Sequence, residues 1–259
     1  MEAEGLKSRP VHTKKNETGF ADALFREAEG LALLREAVAV SGVEGVRVPE
    51  VYSVSEERLE MTGIVSQRQS DRLLRQLGHG LARIHGLPQG RYGFHLDNYI
   101  GLNPQKNTES DHWGRFFLEF RLGYQVSLIG DEKIRYRFTD ILEQKGTLLT
   151  EWLDERCRAP SLLHGDLWSG NVMFDNAGAW LIDPAVYYGD SEADMAMTEM
   201  FGGFGPAFYQ AYGERRPFSP DYASKREIYN LYHFLNHYNL FGGWYLGPCE
   251  KGFGLISRL

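Results

Sequence analysis

The apolar positions of this chain change their period along its length. From Ala21 to Ala39, residues Leu24, Ala28, Leu31, Leu34 and Ala37 recur every three or four positions, the spacing of an amphipathic helix. Leu73, Leu77, Leu81 and Ile84 make a second helical stripe, and Trp113, Phe116, Phe117, Phe120 and Tyr124 a third. A further helix is predicted over Asp131 to Arg158. Stripes of this kind are core faces far more often than cofactor boxes. Between them lie short segments of strand character. Val11 to Lys14 reads as a strand closed by a turn at Asn16 to Gly19. Val46 to Ser55, with Pro49 inside, reads as strand and loop, and Arg58 to Ile64 as a weakly alternating strand that ends at Gly63. Ser161–His164, Asn171–Phe174 and Ala179–Ile182 are short strands set apart by Gly and Asp, and helices resume at about Glu192. The pattern predicts an α+β, two-lobed architecture: a small mixed lobe over 1–64, then a large, mainly helical lobe over 65–259 with one β-rich insert.

Composition narrows the class. No run of about 18 apolar residues is present, so no transmembrane helix is expected. The N-terminus, Met1-Glu2-Ala3-Glu4-Gly5, is acidic and has no apolar core, unlike a secretory signal. Cys157 and Cys249 lie far apart without metal-type spacing, which excludes a disulfide framework and points to a reducing cytoplasm. A net charge of −7 without any Lys/Arg block argues against nucleic acid as partner. Glycine, at 29 of 259 residues, exceeds the usual ~7% and implies many tight turns.

The chemistry concentrates between residues 164 and 183. The chain there reads His164-Gly165-Asp166-Leu167-Trp168-Ser169-Gly170-Asn171, then Val172-Met173-Phe174, then Leu181-Ile182-Asp183-Pro184. Gly165 and Gly170 discourage regular structure, so Asp166 and Asn171 belong to a loop. Asp183 follows a short apolar hairpin that returns the chain to the same place. Carboxylate, carboxamide and second carboxylate then converge at one edge of a small sheet. Such oxygen ligands suit Mg²⁺, usually held by one or two carboxylates together with substrate phosphates. Phosphoryl transfer needs this set, plus a carboxylate to orient the incoming hydroxyl and a cation on the nucleotide phosphates. The H-x-D-x₄-N spacing followed by an apolar-Asp triplet is a variant of the kinase catalytic arrangement. Upstream, Thr13-Lys14-Lys15-Asn16 offers a strand lysine, and the helix from about residue 21 offers Glu27 or Glu29 to pair with it. Lys14 fits better than Lys15, because Asn16 then ends the strand.

With these residues the chain resembles the fructosamine kinase (ketosamine-3-kinase) family, in the aminoglycoside phosphotransferase-like branch of the protein-kinase fold. The string HGDLWSGN at 164–171 carries the likeness most sharply, since Trp168 inside this loop is typical of that family. It continues through Tyr92-Gly93-Phe94, Asp97-Asn98-Tyr99-Ile100-Gly101, Trp113-Gly114-Arg115-Phe116-Phe117, Glu192-Ala193-Asp194-Met195-Ala196 and the stretch from Tyr232 to Gly242, and so covers almost everything from residue 11 onward. The resemblance implies ATP-dependent phosphorylation of the 3-hydroxyl of a ketosamine, a sugar–amine adduct on a small amine or a protein lysine. It implies Asp166 as the residue that orients or deprotonates the acceptor, Asn171 and Asp183 as Mg²⁺ ligands, and Lys14 on the α/β-phosphates. Glu27 would pair with Lys14, and is preferred to Glu29 because the family pattern is Glu-Ala with a leucine four residues after the glutamate. Glu60-Met61-Thr62 would meet adenine at the hinge, His164 and Trp168 would face the substrate, and Asp194 would brace the catalytic loop. Trp168 has two readings, a platform for the sugar or packing behind the loop.

One departure stands out. The family begins with two strands and a glycine-rich turn over the phosphates, which need roughly 20 residues or more. Only 13 residues precede Lys14 here. The expectation is a missing phosphate lid, by truncation or by loss. Two other functions stay open: a kinase of the same fold acting on an aminoglycoside, choline or another hydroxyl compound, and a nucleotide-poor binding module.

Overall fold

The computed structural model describes residues 10–259. The expectation about the phosphate lid falls on the residues before these and lies outside the described part. Strand β1 (Val11–Lys15) opens the described chain and pairs antiparallel with β4 (Arg58–Thr62), which also pairs with β3 (Val51–Val54), giving the order β1-β4-β3. The register sets Lys14 opposite Leu59 and Thr13 opposite Glu60. The turn after β1 is held by Asn16, whose Oδ1 accepts from the Thr18 amide at 3.0 Å. Helix α1 (Ala23–Ser41) follows, buries Leu24, Leu31, Leu34 and Ala37, and stops at Gly42 in the left-handed conformation (φ 59°). Its apolar stripe is the one the spacing predicts.

Strand β2 (Val46–Arg47) ties the first part of the chain to the second. It runs parallel to β11 (Ala179–Leu181), which forms a hairpin with β10 (Val172–Phe174). Helix α2 (Asp71–Ile84) starts at Ser70, whose side chain accepts from the Leu73 amide. It buries Leu73, Leu77, Leu81 and Ile84 against α7 (Pro206–Arg215). Each such leucine contributes about 1.5–3 kcal/mol of burial. Helix α5 (Glu132–Arg156) is capped by Asp131, which accepts from Lys133 and Ile134. Helices α6 (Ser191–Met200), α8 (Tyr222–Phe241) and α9 (Leu246–Ile256) pack successively to complete the helical part.

Two features differ from the periodicity. Between α3 (Trp113–Phe116) and α4 (Tyr124–Ser127) the helix widens to a π-helical stretch, Phe117–Gly123. The extra residue per turn rotates the inward face, so Arg121, Leu122, Gln125 and Val126 are buried while Phe120 and Tyr124 are only partly so. The Arg121 guanidinium lies 3.9 Å from the Tyr187 ring centroid and donates to Lys106 O at 2.7 Å and Asn107 Oδ1 at 2.8 Å. Second, several strands of two or three residues escape a period-2 reading because they are too short to show one. These are β5 (Tyr92–Gly93), β6 (Asn98–Ile100), β7 (Asn103–Gln105), β8 (Glu109–Ser110) and β12 (Tyr187–Gly189). With β9 (Ser161–Leu163) they form a sheet of order β8-β5-β12-β9 and a separate β6–β7 hairpin. No helix among the described residues is long and apolar enough to cross a membrane.

Candidate active site

The loop after β9 is set from below by one buried carboxylate. Asp194, on the first turn of α6, accepts from the main-chain amides of His164 at 2.7 Å and Gly165 at 2.9 Å. It also meets His85 Nε2 at 3.3 Å, and His85 Nδ1 is held at 2.9 Å by the Tyr212 hydroxyl. Burial alone would raise the Asp194 pKa; the hydrogen bond and charge of His85, with the loop amides, outweigh it and hold the group below its ordinary value. Gly165 sits at φ 80°, and a Cβ there would run into Ala185 O, so only glycine fits the close passage between loop and hairpin. Asp194 thus holds the loop backbone through the His164 and Gly165 amides.

His164 does not line the open cleft above the loop. It is fully buried, its Nε2 donates to Ile182 O at 2.9 Å, and its Nδ1 receives the Asp166 amide at 3.3 Å. Both ring nitrogens are spent on the backbone, and burial pushes the imidazole toward the neutral form. Its work is to lock the loop onto the strand that delivers Asp183.

Above this floor the polar groups converge. Asn171 Nδ2 donates to Asp166 O at 2.8 Å and to Asp166 Oδ2 at 3.0 Å. Burial raises the Asp166 pKa to about 7, against the lowering effect of the Asn171 amide and with help from the nearby carboxylates of Asp183 and Asp194. Asp183 follows β11 in the left-handed region (φ 52°), which a short polar side chain tolerates. Its Oδ1 lies 3.1 Å from Lys14 Nζ, and Lys14 in turn lies 2.7 Å from Glu27 Oε2. Burial raises the Glu27 pKa, opposed by the Lys14 ammonium. Lys14 loses ground to burial but gains more from its two carboxylates, so it stays charged. Glu29 is occupied elsewhere, by Arg26 at 3.0 Å and His95 at 3.2 Å. All five groups (Lys14, Glu27, Asp166, Asn171 and Asp183) line one cleft of about 630 Å³.

Trp168 lines the same cleft and is 37% exposed, so it is not buried behind the loop. Its indole folds over Gly170, where any Cβ would strike the ring. The hinge residues of the sequence reading are not brought to this cavity. Glu60, Met61 and Thr62 lie inside β4, between two strands, and the Thr62 amide is spent on Glu50 O at 2.9 Å. Past β4 the Gly63 amide pairs with Pro10 O at 2.6 Å, and Ile64 and Val65 do not line this cleft either. The cleft also takes Asn98, Tyr99 and Leu102 from the β6–β7 hairpin, to which pattern alone assigned no role. Tyr99 donates to Asp22 Oδ1 at 2.5 Å, and its ring lies 5.0 Å from Phe20, which ties the hairpin to the start of α1.

Comparison with known proteins accords with this geometry. The fructosamine kinase family model matches residues 5–254. The probable ketoamine kinase of Vibrio parahaemolyticus is 40% identical over 247 residues, covering 92% of this chain and 81% of its own. The chloroplastic protein-ribulosamine 3-kinase of Arabidopsis thaliana is 44% identical over 177 residues, covering 66% of this chain and 53% of its own. Among solved structures, a candidate fructosamine-3-kinase from Thermobifida fusca superimposes with a TM-score of 0.82 at 26% identity, over 97% of this chain and 86% of that one.

Proposed function

This chain belongs to the fructosamine kinase family, and we propose that it transfers the γ-phosphoryl group of ATP to the 3-hydroxyl of a ketosamine. The observation that carries the reading is the Lys14 ammonium suspended between Glu27 and Asp183, in the same cleft as the Asp166–Asn171 pair. Lys14 places a fixed positive charge for the α/β-phosphates, and Glu27 keeps its side chain aimed there. Asp166 is a carboxylate whose raised pKa suits it to accept the acceptor's proton near neutrality. The hydroxyl oxygen then bonds to the γ-phosphorus as the bridge to the β-phosphate breaks. Positioning and charge neutralisation supply most of the rate.

The donor set fits a hard divalent cation. Asn171 turns its amide nitrogen to Asp166, which leaves Oδ1 without a protein donor, and Asp183 keeps Oδ2 in the same state among the described residues. No cluster of three or more His, Cys, Asp or Glu makes an all-protein cage among them. Two protein oxygens completed by phosphates are what Mg²⁺ takes. When bound, the cation would neutralise charge on the transferring phosphoryl group.

Trp168, exposed at the cleft, supports the reading of a platform for the sugar. A 3-phosphate makes such an adduct unstable, so the biological outcome is deglycation, with small amines or protein lysines released. Residues 1–64 would carry the nucleotide side and 65–259 the acceptor side, and two unpaired cysteines suit a cytoplasmic setting.

The test is ADP release with a panel of ketosamines, choline and an aminoglycoside. Turnover with ketosamines is expected, and turnover only with a non-glycated alcohol overturns the reading. Asp183→Asn and removal of magnesium by a chelator should each lower kcat at least about 100-fold, with the urea midpoint unchanged. Retained activity in either would overturn the site assignment.

A further inference from the structure

Beyond the cleft an aromatic surface continues outward. Trp168 meets Phe201 edge-on at 6.0 Å between ring centroids, and Phe201 lies 5.4 Å from His237 on α8. His237 is followed by Phe241 at 5.5 Å and Tyr245 at 5.0 Å. Phe201 is 45% exposed, Phe241 61% and the adjoining Trp244 93%. Large aromatics left this bare add little to the core, and a contiguous group of them marks a contact surface. The surface also lacks repelling charge. Burial favours the neutral form of His237, whose Nδ1 pairs with His233 O at 2.8 Å, and the last turn of α8 holds no basic residue.

We infer that Phe241, Trp244 and Tyr245 form a subsite for the amine part of the substrate, selecting ketosamines whose amine bears a long alkyl or arylalkyl chain. The inference rests on the ketosamine kinase reading and deepens it. In a ketosamine the nitrogen sits on C1, next but one to the C3 whose hydroxyl must reach Asp166. The sugar is therefore consumed by the cleft, and the amine substituent must leave it nearby. Trp168 is shared by the cleft and the aromatic surface, so a long substituent leaving over it meets Phe201 first, then His237, and only then Phe241 and Tyr245. A small amine ends before reaching them. The C-terminal end of α8 adds partial negative charge that tolerates the substrate's ammonium.

The experiment compares kcat/KM for the fructose adducts of decylamine, whose chain is long enough to pass Phe201 and His237, and of methylamine in wild type, Trp244→Ala and Phe241→Ala. Wild type should prefer the decylamine adduct. Each variant should lose roughly three- to tenfold on that adduct alone, through KM, as expected for one lost aromatic contact. No wild-type preference, no change in the variants, or equal loss on both adducts overturns the subsite and leaves the kinase reading intact. Failure of wild type to phosphorylate either adduct overturns the kinase reading and the subsite with it. Urea midpoints of the variants exclude a folding effect, which is expected to be absent at such exposed positions.

Discussion

Asp194→Asn separates the support of the catalytic loop from its chemistry. The wild-type carboxylate receives two main-chain amides, at 2.7 and 2.9 Å, and the His85 ring at 3.3 Å, with the side chain 2% exposed. Asparagine keeps one accepting oxygen and turns an NH₂ toward a donor. One loop amide is then buried without a partner, at about 1–3 kcal/mol, and the remaining hydrogen bonds lose their charge assistance, at about 1 kcal/mol or more. The sum, about 2–4 kcal/mol, is a large share of the usual 5–15 kcal/mol. With a urea m-value near 3 kcal/mol/M, the unfolding midpoint should fall by about 1 M. The loop would also release Gly165 and Asp166 from their fixed place, and kcat should drop on the order of 100-fold. KM for ATP should move less, since Asp194 does not line the cleft. The pH dependence has a defined sign. The folded pKa is lowered, so the stabilisation is complete above the unfolded value near 3.9 and is lost as pH falls through the folded one. The variant should lack that acid limb. A midpoint shift under about 0.3 M together with kcat within about threefold of wild type would refute this account of the loop.

Two further outcomes follow from the site. Because burial raises Asp166 to about 7, kcat/KM should climb tenfold per pH unit below that value and flatten above it, and a profile flat from pH 5 to 8 would dismiss Asp166 as base. Lys14→Met leaves Glu27 buried without its cation, so stability should fall by about 1–3 kcal/mol and KM for ATP rise at least about tenfold. Adding Glu27→Gln should recover most of the stability and none of the ATP affinity. Thermal melts and nucleotide titrations of the single and double variants check both halves, and recovery of affinity would remove Lys14 from the phosphate site.

The loop motif and the long helical stripes were legible because their signals are local. His164, Gly165, Asp166 and Asn171 are fixed in order by spacing, and α1 and α2 show their buried faces as simple recurrences. The choice of Glu27 over Glu29 needed only the family pattern, and the structure makes the same choice with Lys14. Misreadings arose where neighbours in space decide. The resemblance set His164 toward the substrate, yet Ile182 O and the Asp166 amide consume both of its nitrogens. Glu60 to Thr62, read as the hinge, are paired on both sides inside β4 and do not line the cleft, because strand pairing depends on neighbours in space.

The linear chain thus carried the candidate polar groups and their order, since these are matters of residue type and short-range spacing. It could not carry where those groups stand relative to one another. Lys14 meets Asp183 across 169 positions, and Asp194 reaches back 30 to hold the loop amides. The same holds for Arg121, whose burial depends on a π-helical stretch turning it toward Tyr187, and for the aromatic surface from Trp168 to Tyr245, assembled from the catalytic loop, the end of α6 and the end of α8. Packing fixes these juxtapositions, because burial, pKa and exposure are properties of the folded surroundings rather than of the residue.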